Sequence, residues 1–196
     1  MIQNLASVVI GYLSGSVPYG LLLARAAGLG DVRKIGSGNI GATNVLRTGN
    51  KTVAGLTLLA DVLKGYLPVL VAAWAFGSAA ALAAGLAALA GHIFPVWLGF
   101  KGGKGVATTL GVLFGWSWPV ALIAAATWVA MFAARRISSL SALTAAVVAI
   151  PVSWFLARDE FLAIALVAVV IFITHRANIG RLMRGEESRS SFSKKS

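Results

Sequence analysis

Long apolar runs alternate with short polar joints along the whole chain. The runs occupy roughly 4–24, 53–76, 79–98, 106–134, 140–157 and 161–174. A helix that crosses a bilayer takes about 20 apolar residues, so most of these runs are near spanning length. The joints fall into two sets. One is basic: 25–51 with Arg25, Arg33, Lys34, Arg47 and Lys51; 99–105 with Lys101 and Lys104; 135–139 with Arg135 and Arg136; and everything from Arg176 onward. The other carries little positive charge: the N-terminus, 77–78, and 157–160, where Asp159 and Glu160 offset Arg158. The positive-inside rule places the basic set in the cytoplasm.

Segment 106–134 then starts and ends inside, so it crosses an even number of times. It is too short for two full spans of about 20 residues each. "GWSWP" at 115–119 supplies a break, because Gly weakens a helix and Pro ends one. The pattern predicts two short helices there, at least one of them not spanning fully. The fold class is therefore an all-α integral membrane bundle of about seven transmembrane or partly spanning helices. Its N-terminus lies outside and its C-terminus in the cytoplasm. A re-entrant hairpin with five true spans is the alternative. Residues 1–185 read as one membrane domain, and 186–196, "EESRSSFSKKS", as a basic, disordered tail. The first run lacks a basic n-region and is too long for a signal peptide, so it reads as a retained span. No repeat of fixed period is visible.

Composition agrees with the pattern. Of the 196 residues, 58% are hydrophobic and 12% charged, with mean hydropathy +0.84. Soluble domains carry about 25% charged residues, so this chain is unable to cover a soluble surface. Six Trp and nine Phe suit lipid and interface contact. With no Cys there is no thiolate or disulfide chemistry, and two His and six acidic residues leave little material for a metal site. The net charge of +11 does not indicate nucleic acid, because the basic residues lie between apolar runs.

The long polar joints all fall on the predicted cytoplasmic face, so any chemistry belongs there. "GSGNIGATN" at 36–44 matches the G-x-G-x-x-G of dinucleotide-binding folds, and Asp61 lies 20 residues after Gly41. That fingerprint needs a strand before it and an acidic residue outside a span, and neither is present. A structural turn is one reading. Against it, Ser37, Asn39, Thr43, Asn44 and Arg47 offer more polar groups than a turn requires. If Thr43–Thr48 is helical, Thr43 and Arg47 share a face. Bare glycine backbone leading into a helix, with an Arg nearby, suits a phosphate. "FKGGKG" at 100–105 departs from a Walker A motif, with Leu98 at the first Gly position and Gly105 in place of Ser/Thr. It reads either as a flexible basic loop or as an anion nest in which successive N–H groups converge beside Lys101 and Lys104. His92 reads as a packing or hydrogen-bonding residue, less often a base. Asp61 and Lys64, i,i+3 within a span, read as a structural pair. "THRANIGR" at 174–181 groups His175, Arg176, Asn178 and Arg181 at the inner interface, as a basic anchor or as a site.

Taken together, "GSGNIGATN" with Arg47, "GHIFPVWLGFKGGKG" and "HRANIGRLMRGEE" resemble the three cytoplasmic motifs of one family, in order and over essentially residues 1–187. The family is the bacterial acyl-phosphate:glycerol-3-phosphate acyltransferases, small integral-membrane enzymes. The resemblance implies transfer of a fatty acyl group from acyl phosphate to the 1-hydroxyl of sn-glycerol 3-phosphate, without cofactor or metal. The partners it implies are those two substrates and membrane lipid, with no nucleic acid, in a monomer of the bacterial inner membrane whose site faces the cytoplasm. It implies catalytic roles for Ser37, Arg47, Lys104 and His175. Substrate-binding roles fall to Gly36, Gly38, Asn39, Thr43, Asn44, Gly102, Gly103, Gly105, Ser139 and Asn178. Gly102, Gly103 and Gly105 would supply backbone donors to the acyl phosphate, and Ser139 with Asn178 would hold glycerol 3-phosphate. Glu186 reads as structural, paired with a nearby Arg. The H-x-x-x-x-D of other glycerol-phosphate acyltransferases is absent: Trp97 follows His92 at that spacing and Gly180 follows His175. Rival classes are a membrane transporter for a phosphorylated anion and a scaffold that binds anionic lipid through its basic face.

Overall fold

The computed structural model describes residues 2–189, and these are all helix, turn and loop without strand. Residues 190–196, most of the tail expected from the sequence, lie outside the described residues. The helices are α1 (Ile2–Ser16), α2 (Tyr19–Ala26), α3 (Ala42–Leu46), α4 (Lys51–Phe76), α5 (Ser78–Ile93), α6 (Val106–Trp116), α7 (Trp118–Arg135), α8 (Ser138–Leu156), α9 (Phe161–Thr174) and α10 (Arg176–Met183). Among the described residues, five segments are long and apolar enough to cross a membrane: Gln3–Ala26, Lys51–Phe76, Ser78–Leu98, Trp118–Arg135 and Ser138–Leu156. A sixth is the α9–α10 pair, bent by 62°, and the shorter α6 makes a seventh apolar segment.

The break expected at 115–119 falls at Ser117, with Pro119 in the first turn of α7. Only one of the two helices it separates is short. α6 has 11 residues, about 16 Å at 1.5 Å per residue against a hydrocarbon core of about 30 Å. α7 has 18 residues and is of spanning length. The single membrane domain read from the sequence has an internal division at this break, into compact units Met1–Gly115 and Trp116–Ser196.

In the first unit α1 packs on α5 through small residues. A Cβ on Gly11 or Gly15 would strike the carbonyls of Ala84 and Ala88, and one on Gly91 would strike Tyr12 and Ser16. In lipid no hydrophobic force drives helices together, so close backbone approach supplies the attraction. α6 meets α4 in the same way, Gly65 lying against Thr108 and Gly111 against Val62 and Tyr66.

The α1–α2 break has a polar solution. Pro18 has no N–H, so carbonyls of the preceding turn lose their helical partners. Lys64 Nζ donates to Val17 O at 2.9 Å, and Ser14 Oγ donates to Lys64 O at 2.9 Å. Lys64 Nζ also lies 2.7 Å from Asp61 Oδ1, with both side chains buried. By distance this is an ion pair, yet Oδ1 makes no hydrogen bond of acceptable angle; the attraction is coulombic. The structural pair expected from the i,i+3 spacing is present.

In the second unit short connections set α7, α8 and α9 side by side. Arg136, at φ 58, turns the chain from α7 to α8. Asn50 caps α4 by accepting from Val53 N at 3.0 Å, and Gly77, at φ 86, ends it.

Candidate functional site

The first polar joint has an apolar underside and a polar upper face. Val32, Ile40 and Val45 are buried with Leu21, Ala24, Val53 and Ala54. At its base, Asp31 accepts from the Arg33 side chain and backbone N–H and from Arg25. The Arg33 side-chain bond, then its backbone bond, hold the half-buried Asp31 carboxyl well below the usual carboxylate range. Above the base, Gly36 and Gly38 take φ of 53° and 70°. A Cβ on Gly36 would fall 2.5 Å from Asn44 Oδ1 and from an Arg47 guanidinium nitrogen. The Arg47 side chain therefore lies across Gly36, the close approach that only glycine permits. Thr43 is in α3 and Arg47 is its αR C-cap, so the two are helical neighbours as expected.

Asn44 is turned into the loop. Its side chain is buried. Its Nδ2 donates to Val32 O and Asn39 O, each at 2.7 Å. Its Oδ1 accepts from Ser37 N at 3.1 Å and lies 3.4 Å from Ser37 Oγ. An amide has two donors and two acceptor sites, and all four are engaged within the loop. In this structure Asn44 shapes the loop. Asn39 Oδ1 accepts from Gly41 N at 3.0 Å, a turn that leads into α3. Ser37 is exposed on the loop.

The second joint folds back onto the end of α5. Gly102 N donates to Ile93 O and Gly103 N to His92 O, each at 3.0 Å. The N–H groups that the backbone-donor role would use are engaged with the end of α5 in this structure. They are glycine for space: a Cβ on Gly102 would strike His92 O and Pro95, and one on Gly103 would strike the His92 imidazole. His92 is buried, and its Nδ1 is 3.0 Å from Thr108 Oγ1 on α6. It is the packing and hydrogen-bonding residue expected. Gly105, at φ 85, leads into α6, whose first backbone bond runs from Thr109 N to Gly105 O at 2.7 Å. The N–H groups of Val106, Ala107 and Thr108 precede that bond, at the positive end of the helix. Lys104 is half-buried beside them. Leu98 packs on the apolar cluster under the first joint, so both loops rest on one core.

In the second unit, Ser139 is in the first turn of α8, and His175 is the joint between α9 and α10. His175 is buried, with Nδ1 2.8 Å from Ile171 O. A carbonyl only accepts, so Nδ1 carries a proton. α10 ends in a Schellman turn: Glu186 N donates to Arg181 O at 2.8 Å, Gly185 N to Leu182 O at 3.1 Å, and Gly185 has φ 70. The reversal delivers Glu187 to three donors. Ser139 Oγ donates to Oε1 at 2.7 Å, Asn178 Nδ2 to Oε1 at 2.5 Å, and Arg181 Nε to Oε2 at 2.6 Å. Glu186 pairs with Arg184 at 2.7 Å, as expected.

Glu187 was missed from the sequence, where it falls in the tail. The signal was there: a Gly just past a helix end, followed at once by an acidic pair among basic residues. Partial burial pushes the Glu187 carboxyl up, but the bonds from Asn178, Ser139 and Arg181 outweigh it and hold its pKa below the ordinary value. A depressed carboxylate contributes stability that is present above its unfolded pKa and is lost as pH falls through the folded one. Thermal midpoints of the wild type are therefore expected to fall more steeply below about pH 4.5 than those of Glu187→Gln. Identical slopes for the two proteins would show that the carboxylate is not bonded this way.

The fold defines an all-helical integral membrane protein whose polar chemistry is confined to its joints. A family model described as glycerol-3-phosphate acyltransferase matches residues 5–185. The glycerol-3-phosphate acyltransferase of Mesorhizobium japonicum is 60% identical over 184 residues, 93% of this chain and 94% of that protein. That of Brucella suis is 56% identical over 187 residues, 94% and 92% of the two chains. The chain is similar to the crystal structure of PlsY, an integral membrane glycerol 3-phosphate acyltransferase, in its glycerol 3-phosphate form. The TM-score is 0.90 and the identity 40%, over 96% of each chain. For the lysophosphatidic acid form of PlsY the TM-score is 0.88 and the identity 39%, over 95% of this chain and 94% of that one. This chain belongs to the glycerol-3-phosphate acyltransferase family, as its three motifs indicated.

Proposed function

We propose that this enzyme uses acyl phosphate as donor and transfers the acyl group directly to the 1-hydroxyl of sn-glycerol 3-phosphate. The observation that carries the acyl-transfer part of the reading is the similarity to PlsY in two forms, a glycerol 3-phosphate form and a lysophosphatidic acid form. These are the acceptor and the product of a single acyl transfer. Acyl phosphate is a mixed anhydride and already activated, so no covalent nucleophile is required. The hydroxyl oxygen attacks the acyl carbon, the bond from that carbon to the phosphate oxygen breaks, and phosphate leaves with the electron pair. The hydroxyl proton passes to a phosphate oxygen or to His175 Nε2. Arg47, Lys104, Gly105 and the first turn of α6 hold and neutralise phosphate, while Ser37, Asn39 and Thr43 orient it above Gly36 and Gly38. Ser139, His175 and Asn178 serve glycerol 3-phosphate. Gly102, Gly103 and Asn44 shape the loops. Positioning and electrostatic stabilisation supply the rate.

In this reading the basic joints are cytoplasmic, the N-terminus lies outside, and the monomer sits in the bacterial inner membrane. The test is purified protein in detergent with palmitoyl phosphate and glycerol 3-phosphate. Phosphate release and lysophosphatidate are expected only with both substrates present and are unaffected by strong chelator. Arg47→Ala or Lys104→Ala is expected to lower kcat/KM by about 10²-fold or more, the scale of a lost transition-state charge contact. A trapped acyl-enzyme or ping-pong kinetics would overturn direct transfer. Glycerol 3-phosphate binding without turnover would make transport of the anion the leading reading.

A further inference from the structure

The segment 94–100, "FPVWLGF", carries a group of apolar side chains that the chain itself does not cover. Phe94 is 55%, Trp97 63% and Phe100 59% exposed. They are not on a loose loop. Tyr12 OH donates to Phe94 O at 2.8 Å and Trp97 Nε1 donates to Ser16 Oγ at 2.9 Å, pinning the segment to α1. Backbone bonds from Leu98 N and Phe100 N to Pro95 O close it internally. Within this fixed frame Phe100 has φ 62, the left-handed conformation that favours glycine. Glycine at 100 would relieve the strain, and burial within the chain does not offset it. The return for an aromatic side chain here comes from something outside the polypeptide. The next residues are Lys101 and the Gly102–Gly105 stretch with Lys104, so an apolar ledge adjoins a cationic turn. That pairing fits an amphiphile with an anionic head.

We infer that Phe100, with Phe94 and Trp97, forms a ledge that holds the acyl chain of the donor next to its phosphate and so sets preference for long chains. This rests on the acyl-phosphate reading above. The test is a ladder of saturated acyl phosphates, from short water-soluble chains to palmitoyl, assayed with wild type, Phe100→Gly and Phe100→Leu. For wild type, log kcat/KM rises with chain length. In Phe100→Gly that slope flattens, with about tenfold or greater loss on palmitoyl phosphate and little change on the shortest donor. Phe100→Leu retains most of the slope, and Phe100→Gly melts no lower than wild type. An unchanged slope would mean that Phe100 meets only bulk lipid, and equal loss at every length, or a lower melting point, that it shapes the loop; each overturns the inference. Wild type inactive on every acyl phosphate overturns the donor reading, and this inference with it.

Discussion

Gly103→Ala is expected to leave a membrane protein that folds poorly and turns over at least about 10²-fold more slowly, the scale of an ångström-sized misplacement in an active site. The new methyl lands in the His92 imidazole. That ring has no room to give. It is buried, its Nδ1 is held at Thr108 Oγ1, and its own carbonyl accepts the Gly103 N–H. Overpacking of this kind costs about 1–3 kcal/mol. Gly99→Ala is the control: a Cβ there meets nothing within 4 Å, so only the strain of φ 58 remains. Stability in detergent and kcat/KM, measured on both variants and on His92→Ala/Gly103→Ala, check the account. Removing the ring should recover part of the stability lost to the methyl, a coupling that two independent sites would not show. Gly103→Ala with wild-type stability and rate would show that the turn is not packed on His92.

The second large effect concerns the buried ions. Lys64→Met is expected to destabilise the protein by about 3–5 kcal/mol, because it leaves the Asp61 carboxylate buried and uncompensated. Asp61→Leu/Lys64→Met should recover most of that loss, since an apolar pair of similar volume is often neutral inside a protein. Recovery stays incomplete, because Lys64 also donates to Val17 O, which would keep only its bond from Tyr19 N. Denaturant titration of the wild type, the single and the double variant gives the order directly. Equal stability of single and double would mean that charge compensation is not what Lys64 contributes.

What the sequence reveals follows the range of each interaction. Span positions and the break at Ser117 depend on local hydropathy and on Pro and Gly, so they are legible, although only α6 of the two short helices expected there is short. The Asp61–Lys64 pair is legible because i,i+3 neighbours on a helix meet whatever surrounds them. The partners of polar side chains are another matter. Asn44 looks like a ligand in a list of donors, and only the folded loop shows its four valences closing on Val32, Asn39 and Ser37. Gly102 and Gly103 look like an anion nest, yet the reversal at Pro95 hands their N–H groups to the end of α5. Glu187 depends on a Schellman turn that redirects the chain into contact with Ser139, 48 positions earlier.

The seam between α1 and α5 has a consequence for motion. Gly11, Gly15, Ala84 and Ala88 have no side-chain torsions, so forming the seam surrenders almost no rotamer entropy. By the same token it has no alternative rotamers into which it can relax. Two backbones in direct contact behave as a single stiff beam. Tyr12 and Ser16 on that beam hold the 94–100 segment, so the segment inherits its stiffness. A strained residue such as Phe100 keeps its conformation only on a mount of this kind, because a softer support would let the backbone rotate the strain away.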